Sequence, residues 1–107
     1  MTKPVEVSAA EFSEEVIEVN LPVLVDFWAP WCGYCTRMSQ VIDMAAKELE
    51  DKVKIVKVNV DNNRTLAQKY GVQTLPTIVF FKDGEPGERI IGFMTKEAFV
   101  EKIVSLL

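Results

Sequence analysis

A chain of 107 residues with 49 % apolar and 26 % charged side chains has the size and balance of one soluble globular domain, and residues 1–107 are read as that domain. Such a chain can bury a core without disulfide staples. Its net charge of −4 argues against a nucleic-acid partner, no stretch is apolar enough to span a bilayer, and the absence of histidine removes Cys–His and Ser–His catalysis and most zinc sites. The start, Met1-Thr2-Lys3-Pro4-Val5-Glu6, has no basic run followed by an apolar one. No leader peptide is therefore expected, and a cytoplasmic location is the expectation.

Strands and helices alternate along the chain. Val5 to Val7 reads as a short first strand. Ser8-Ala9-Ala10-Glu11 has capping-box spacing and predicts a helix from about Ala9 to Val19. Pro22 to Ala29 is a continuous apolar run with one acid in it, Asp26, as suits a central strand covered on both faces. Pro30 opens a turn into a helix that carries both cysteines and continues to about Glu50. Lys52 to Val60, rich in valine and isoleucine, reads as a third strand. Asp61, Asn62 and Asn63 are cap candidates for a helix reaching Tyr70, with Gly71 at its stop. Thr77 to Lys82 and Glu88 to Gly92 flank the hairpin signal Asp83-Gly84. Thr95 can cap a last helix to Leu107 with Phe99, Ile103 and Leu106 on one face. This order predicts an α/β fold in which a five-stranded mixed sheet carries helices on both faces. The first three strands are parallel and the last hairpin is antiparallel.

Two cysteines are too few for a disulfide scaffold, but their spacing, Cys32-Gly33-Tyr34-Cys35, is informative. If a helix starts near Cys32, residues three apart share a face. The α-carbons then fall within the roughly 4.4–6.8 Å that a disulfide needs. Cys32 would lie at the helix N-terminus, where free N–H groups and the dipole stabilise a thiolate. In such places the thiol pKa falls from about 8.5 into the range of roughly 3.5–7.5. Cys35, one turn inside, lacks those donors. Such asymmetry suits a two-step exchange in which Cys32 attacks a substrate disulfide and Cys35 resolves the mixed disulfide. Three blander readings stand beside this one: a zinc site shared between two copies, a purely structural disulfide, and two inert buried thiols. A structural disulfide here would close too short a loop to stabilise much.

The segment Val25-Asp26-Phe27-Trp28-Ala29-Pro30-Trp31-Cys32-Gly33-Tyr34-Cys35 resembles the active-site signature of the thioredoxin family. So do Asp61, Tyr70-Gly71-Val72, Thr74-Leu75-Pro76-Thr77, Phe81-Lys82-Asp83-Gly84 and Gly92, in the family's order and spacing over essentially the whole chain. The resemblance implies a thioredoxin fold and a protein disulfide reductase. Its only redox group would be the Cys32–Cys35 disulfide, with no further cofactor and no metal. Protein disulfides would be its substrates, a thioredoxin reductase would recharge it, and it would act as a monomer. Asp26 lies among apolar neighbours, and a buried carboxyl has a raised pKa. The resemblance makes it the proton acceptor and donor for Cys35, with Lys57 as its charge partner; a solvated strand lysine is the plain alternative for Lys57. It also implies a cis peptide bond at Pro76, against an ordinary trans proline at a strand start. The Leu75 backbone would pair with an extended substrate segment, and Gly92 would line the same groove. Trp31, Gly33, Tyr34 and Phe93 would complete that surface, with partial core burial as the alternative for Trp31 and Phe93.

The chain departs from the family pattern at Tyr34 and Gln40, where prolines are usual, and at Thr36-Arg37 in place of a common Lys-Met pair. These changes bear on redox potential and partner choice. Tyr34 returns a backbone N–H near the Cys32 sulfur and frees φ, and both effects are expected to make the dithiol less reducing. The competing functions are the same fold run as an oxidase or isomerase, a dedicated donor to one enzyme, and a binding module without redox chemistry.

Overall fold

A computed structural model describes residues 3–107; Met1 and Thr2, which begin the segment read for a leader, lie outside the described residues. The strands are β1 (Val5–Glu6), β2 (Val23–Trp28), β3 (Lys54–Asn59), β4 (Thr77–Lys82) and β5 (Glu85–Ile91). They form one mixed sheet in the order β1-β3-β2-β4-β5. β1 and β2 both pair parallel with β3, β4 runs antiparallel to β2, and β5 antiparallel to β4. The apolar run in β2 thus occupies the middle of the sheet, where both faces are covered.

Alternation along the strands splits the core in two. Leu24, Ile55, Ile78 and Phe80 face α1 (Gly33–Glu48) and α3 (Lys96–Leu106), meeting Met38, Ile42, Phe99 and Ile103. Val25, Phe27, Val56, Val58, Val79 and Phe81 form the opposite layer with Phe12, Val16 and Leu66, the last on α2 (Arg64–Lys69). In this second layer the Tyr70 ring meets Phe81 edge-on and Phe12 at a tilt. The alternation puts Asp26 on the α1 face, beside Leu24 in phase and opposite Lys57 of β3 and Ile78 of β4.

Two elements differ from the sequence expectation. The segment after Ser8 is not one α-helix. A 3-10 turn spans Ala9–Glu11, and a wider π turn spans Ser13–Ile17, closed by the Glu18 N–H on Ser13 O. The capping contact does form, with the Ser8 N–H donating to Glu11 Oε1 at 2.9 Å. A tertiary tie holds the first turn, because the Ala9 N–H donates to Asn63 Oδ1 at 2.8 Å. Packing of Phe12 and Val16 onto the sheet, with β-branched Val16, Ile17 and Val19 close together, overrides a regular helix. The second difference is β5, which begins at Glu85 instead of Glu88. Pro86 is tolerated there because β5 is an edge strand with a register shift between Val79 and Phe81.

The Asp83-Gly84 turn has positive φ at both residues, 53° and 79°, as a tight hairpin requires. A Cβ on Gly84 would lie 3.0 Å from the Ile17 carbonyl oxygen. Gly84→Ala is therefore expected to cost more than ~1 kcal/mol of stability in chemical denaturation. A neutral result would mean that the turn and the π turn do not touch in solution.

Candidate active site

The chain leaves β2 through Ala29 and turns at Pro30-Trp31, closed by the Cys32 N–H on the Ala29 carbonyl at 3.2 Å. Cys32 is the N-cap of α1, with extended backbone, and Cys35 lies in its first turn. The two are joined by a disulfide, with α-carbons 5.2 Å apart. The Cys35 backbone N–H donates to Cys32 Sγ at 3.2 Å. One sulfur thus already receives a helix N-terminal donor, the group that stabilises a thiolate once the bond is reduced. The two sulfurs are bonded to each other, so neither is a free thiol in this structure.

Both cysteines are more covered than an open turn implies, Cys32 at 8 % exposure and Cys35 at 3 %. Trp28, Ala29, Val60 and Leu75 pack around them. Cys32 is the more accessible of the pair. Around it stand Trp31, 70 % exposed, Tyr34, 60 % exposed, and the exposed Phe93, so neither Trp31 nor Phe93 is a core residue. Gly33 is exposed, with open space where a Cβ would project. The Leu75–Pro76 bond is cis. The Gly92 N–H donates to Pro76 O at 2.9 Å, and Gly92 has φ +88°, a conformation that favours glycine. Leu75, Pro76 and Gly92 are therefore brought together on the side of the disulfide nearest β4 and β5.

Asp26, on the α1 face of β2, is 1 % exposed, and its Oδ1 has no hydrogen-bond partner among the described residues. Burial pushes its pKa up to about 7; Lys57 pulls it down, and Glu6 and Asp43 push it further up. Lys57 faces Asp26 in strand register but does not bond it. Its ammonium donates to Ser39 Oγ at 2.7 Å and lies 5.2 Å from the centre of the Trp28 ring. Lys57 is therefore neither a bonded partner of Asp26 nor a fully solvated lysine. A cleft of about 220 Å³ lies between α1 and β3, lined by Trp28, Cys35, Thr36, Ser39, Gln40 and Lys57.

Three contributors escaped the sequence reading. Ser39 anchors Lys57, and its position one turn beyond Cys35 on the same helix face was the available signal. Asp61 read as a helix cap, but its two carboxylate oxygens each accept from the Trp31 indole N–H at 3.1 Å. Arg37 lies over the rings of Phe93 and Tyr34, at 4.9 and 6.0 Å from their centres. The Arg37–Tyr34 contact is a local pair three residues apart on α1, but no local pattern marks the contacts of Arg37 with Phe93 or of Asp61 with Trp31, which join segments distant in sequence.

Comparison with known proteins agrees with the geometry. The thioredoxin family model matches residues 3–105. The chain belongs to the thioredoxin family. It is 47 % identical over 98 residues to the thioredoxin of Pyropia yezoensis, covering 92 % of each chain. It is 47 % identical over 90 residues to thioredoxin 1 of Synechococcus elongatus, covering 84 % of each, and 40 % identical to the thioredoxin of Synechocystis sp. over the full length of both. As a thioredoxin the chain is a disulfide oxidoreductase that works by dithiol–disulfide exchange, with electrons carried on the Cys32–Cys35 pair. Among the described residues no helix is long and apolar enough to cross a membrane.

Proposed function

We propose that this thioredoxin reduces disulfides in other proteins, as a single-domain cytoplasmic monomer recharged by a thioredoxin reductase and serving electron transport to protein thiols. The observation that carries this reading is the asymmetry of the pair. Cys32 is the more exposed sulfur and takes the helix N-terminal donor, while Cys35 is sealed against the cleft.

The Cys32 thiolate attacks one sulfur of the substrate disulfide; that bond breaks, a mixed disulfide forms, and the first substrate thiolate leaves and takes a proton. Cys35 gives its proton to the Asp26 carboxylate and attacks Cys32 Sγ. The mixed disulfide breaks, the second substrate thiolate leaves and is protonated, and the chain is left oxidised by two electrons. An acid with a pKa near 7 suits this transfer, because it both accepts and releases protons at neutral pH. The cleft beside Cys35 also reaches Lys57, the strand neighbour of Asp26, and is large enough to hold water. Lys57, held by Ser39, tunes the proton affinity of Asp26 without bonding it. Trp31, Gly33, Tyr34, Leu75, Pro76, Gly92 and Phe93 form the docking face, with the Leu75 backbone pairing to an extended substrate segment.

A direct test is to supply catalytic amounts of the chain with excess dithiol and a protein whose chains are disulfide-linked, and to follow release of the chains. Rates no faster than dithiol alone would end the reductase reading.

Tyr34 has a smaller effect than its sequence position implies. The backbone donor on Cys32 Sγ is Cys35 N, a group present whatever residue stands at 34. Only the φ restriction of proline remains, worth about 0.4–1 kcal/mol through the more mobile dithiol state. Tyr34→Pro is expected to lower the potential by roughly 10–20 mV, from about 30 mV per 1.4 kcal/mol. A rise in potential, measured against a glutathione buffer, would contradict this.

A further inference from the structure

The docking face is not uniformly apolar. Arg37 follows Tyr34 by three positions on α1, so the two side chains are neighbours on the helix surface. Its guanidinium carbon lies 4.9 Å from the centre of the Phe93 ring and 6.0 Å from that of Tyr34. Stacking over ring faces holds a guanidinium while leaving its N–H donors at the edge free for an acceptor.

That acceptor is not supplied by the described residues. Among the described residues Lys54, Lys96 and Lys102 are ion-paired with Glu15, Glu48 and Glu88, but no carboxylate pairs with Arg37. A shallow hollow of about 360 Å³, lined by Gly33, Tyr34 and Arg37, opens beside the disulfide. On the opposite flank Asp61 takes the Trp31 indole N–H. The strand order puts the loop bearing Asp61, after β3, and the loop bearing Phe93, after β5, on opposite sides of β2. Arg37 is thus a cation without a carboxylate partner on the Phe93 flank, on a protein whose net charge is −4 and which otherwise repels acidic segments.

We propose that Arg37, held between Tyr34 and Phe93, selects protein disulfides that carry an acidic side chain beside the attacked cysteine. This rests on the reading of the face as a docking surface for protein disulfides. The acidic side chain enters the hollow over Gly33 and accepts from the guanidinium edge while the attacked sulfur meets Cys32. Arginine suits this role better than lysine, because its planar fork stacks and donates at once.

The test uses two disulfide-linked peptides that differ only in glutamate or lysine beside the reactive cysteine, with kcat/KM measured for the whole chain at low and high salt. The intact protein is expected to prefer the glutamate peptide by about two- to fivefold at low salt, the range of an exposed ion pair. Salt is expected to erase the preference. Arg37→Gln removes it and Arg37→Glu reverses it; the ratio within each protein cancels any general change in activity. A ratio unaltered by Arg37→Glu, or a wild-type protein that reduces both peptides equally at low salt, overturns the selectivity of Arg37 alone. A wild-type protein that reduces neither peptide overturns the reductase reading as well.

Discussion

Cys32→Ser is expected to abolish disulfide reduction, whereas Cys35→Ser is expected to leave the first attack intact and halt at the mixed disulfide. The difference follows from position. Cys32 caps α1, receives the Cys35 N–H and is the more exposed sulfur. Cys35 is 3 % exposed and faces the cleft, so it reaches only a sulfur already bonded to Cys32. In the reduced protein Cys32 is expected to be alkylated about tenfold faster than Cys35 near neutral pH, because the thiolate is the reactive form. Mass spectrometry of Cys35→Ser incubated with a disulfide-bonded protein is expected to find the partner linked through Cys32. Equal turnover by the two single variants would contradict the assignment.

Asp26→Asn is expected to stabilise the oxidised protein and to slow the resolving step. Burial raises the Asp26 pKa from 3.8 to about 7, so the folded chain keeps its proton where the unfolded chain loses it. Between those values folding takes up a proton, and stability falls as pH rises. The full loss above pH 7 is roughly 4 kcal/mol, from about 1.36 kcal/mol per pKa unit. The gain from Asp26→Asn is therefore expected to be larger at pH 8 than at pH 5 by roughly 2–3 kcal/mol. Loss of a positioned proton acceptor is expected to slow resolution by up to about 10²-fold near neutral pH. Lys57→Met, which removes the cation holding the Asp26 pKa down, is expected to move the wild-type transition to higher pH. The same stabilisation at both pH values, with an unchanged pH–rate profile, would show that Asp26 is neither a buried acid nor the proton carrier.

Much of this architecture was legible because local signals and packing agree. The apolar run around Asp26 could only be a covered strand, and it is the central one. Thr95 caps α3, and Phe99 and Ile103 are buried as their spacing requires. The Asp83-Gly84 pair makes the expected turn. Signals failed where tertiary contacts decide. A capping box after Ser8 forms, yet Phe12 and Val16 docking on the sheet and the tie to Asn63 break the helix behind it. At the site, the helix-start position of Cys32 and the burial of Asp26 follow from sequence pattern. The hold of Ser39 on Lys57, of Asp61 on Trp31 and of Phe93 on Arg37 does not, because each depends on how segments distant in sequence pack together.

The central claim is that the Cys32–Cys35 pair works as a reductant. Its potential, measured by equilibration with a glutathione buffer, tests this most directly. Thioredoxins lie at about −270 mV, disulfide isomerases at about −180 mV and strong oxidases at about −120 mV. A value close to the thioredoxin one, raised by roughly 10–20 mV through Tyr34, is expected of a reductant; a value at or above that of the isomerases would show that the pair is not one.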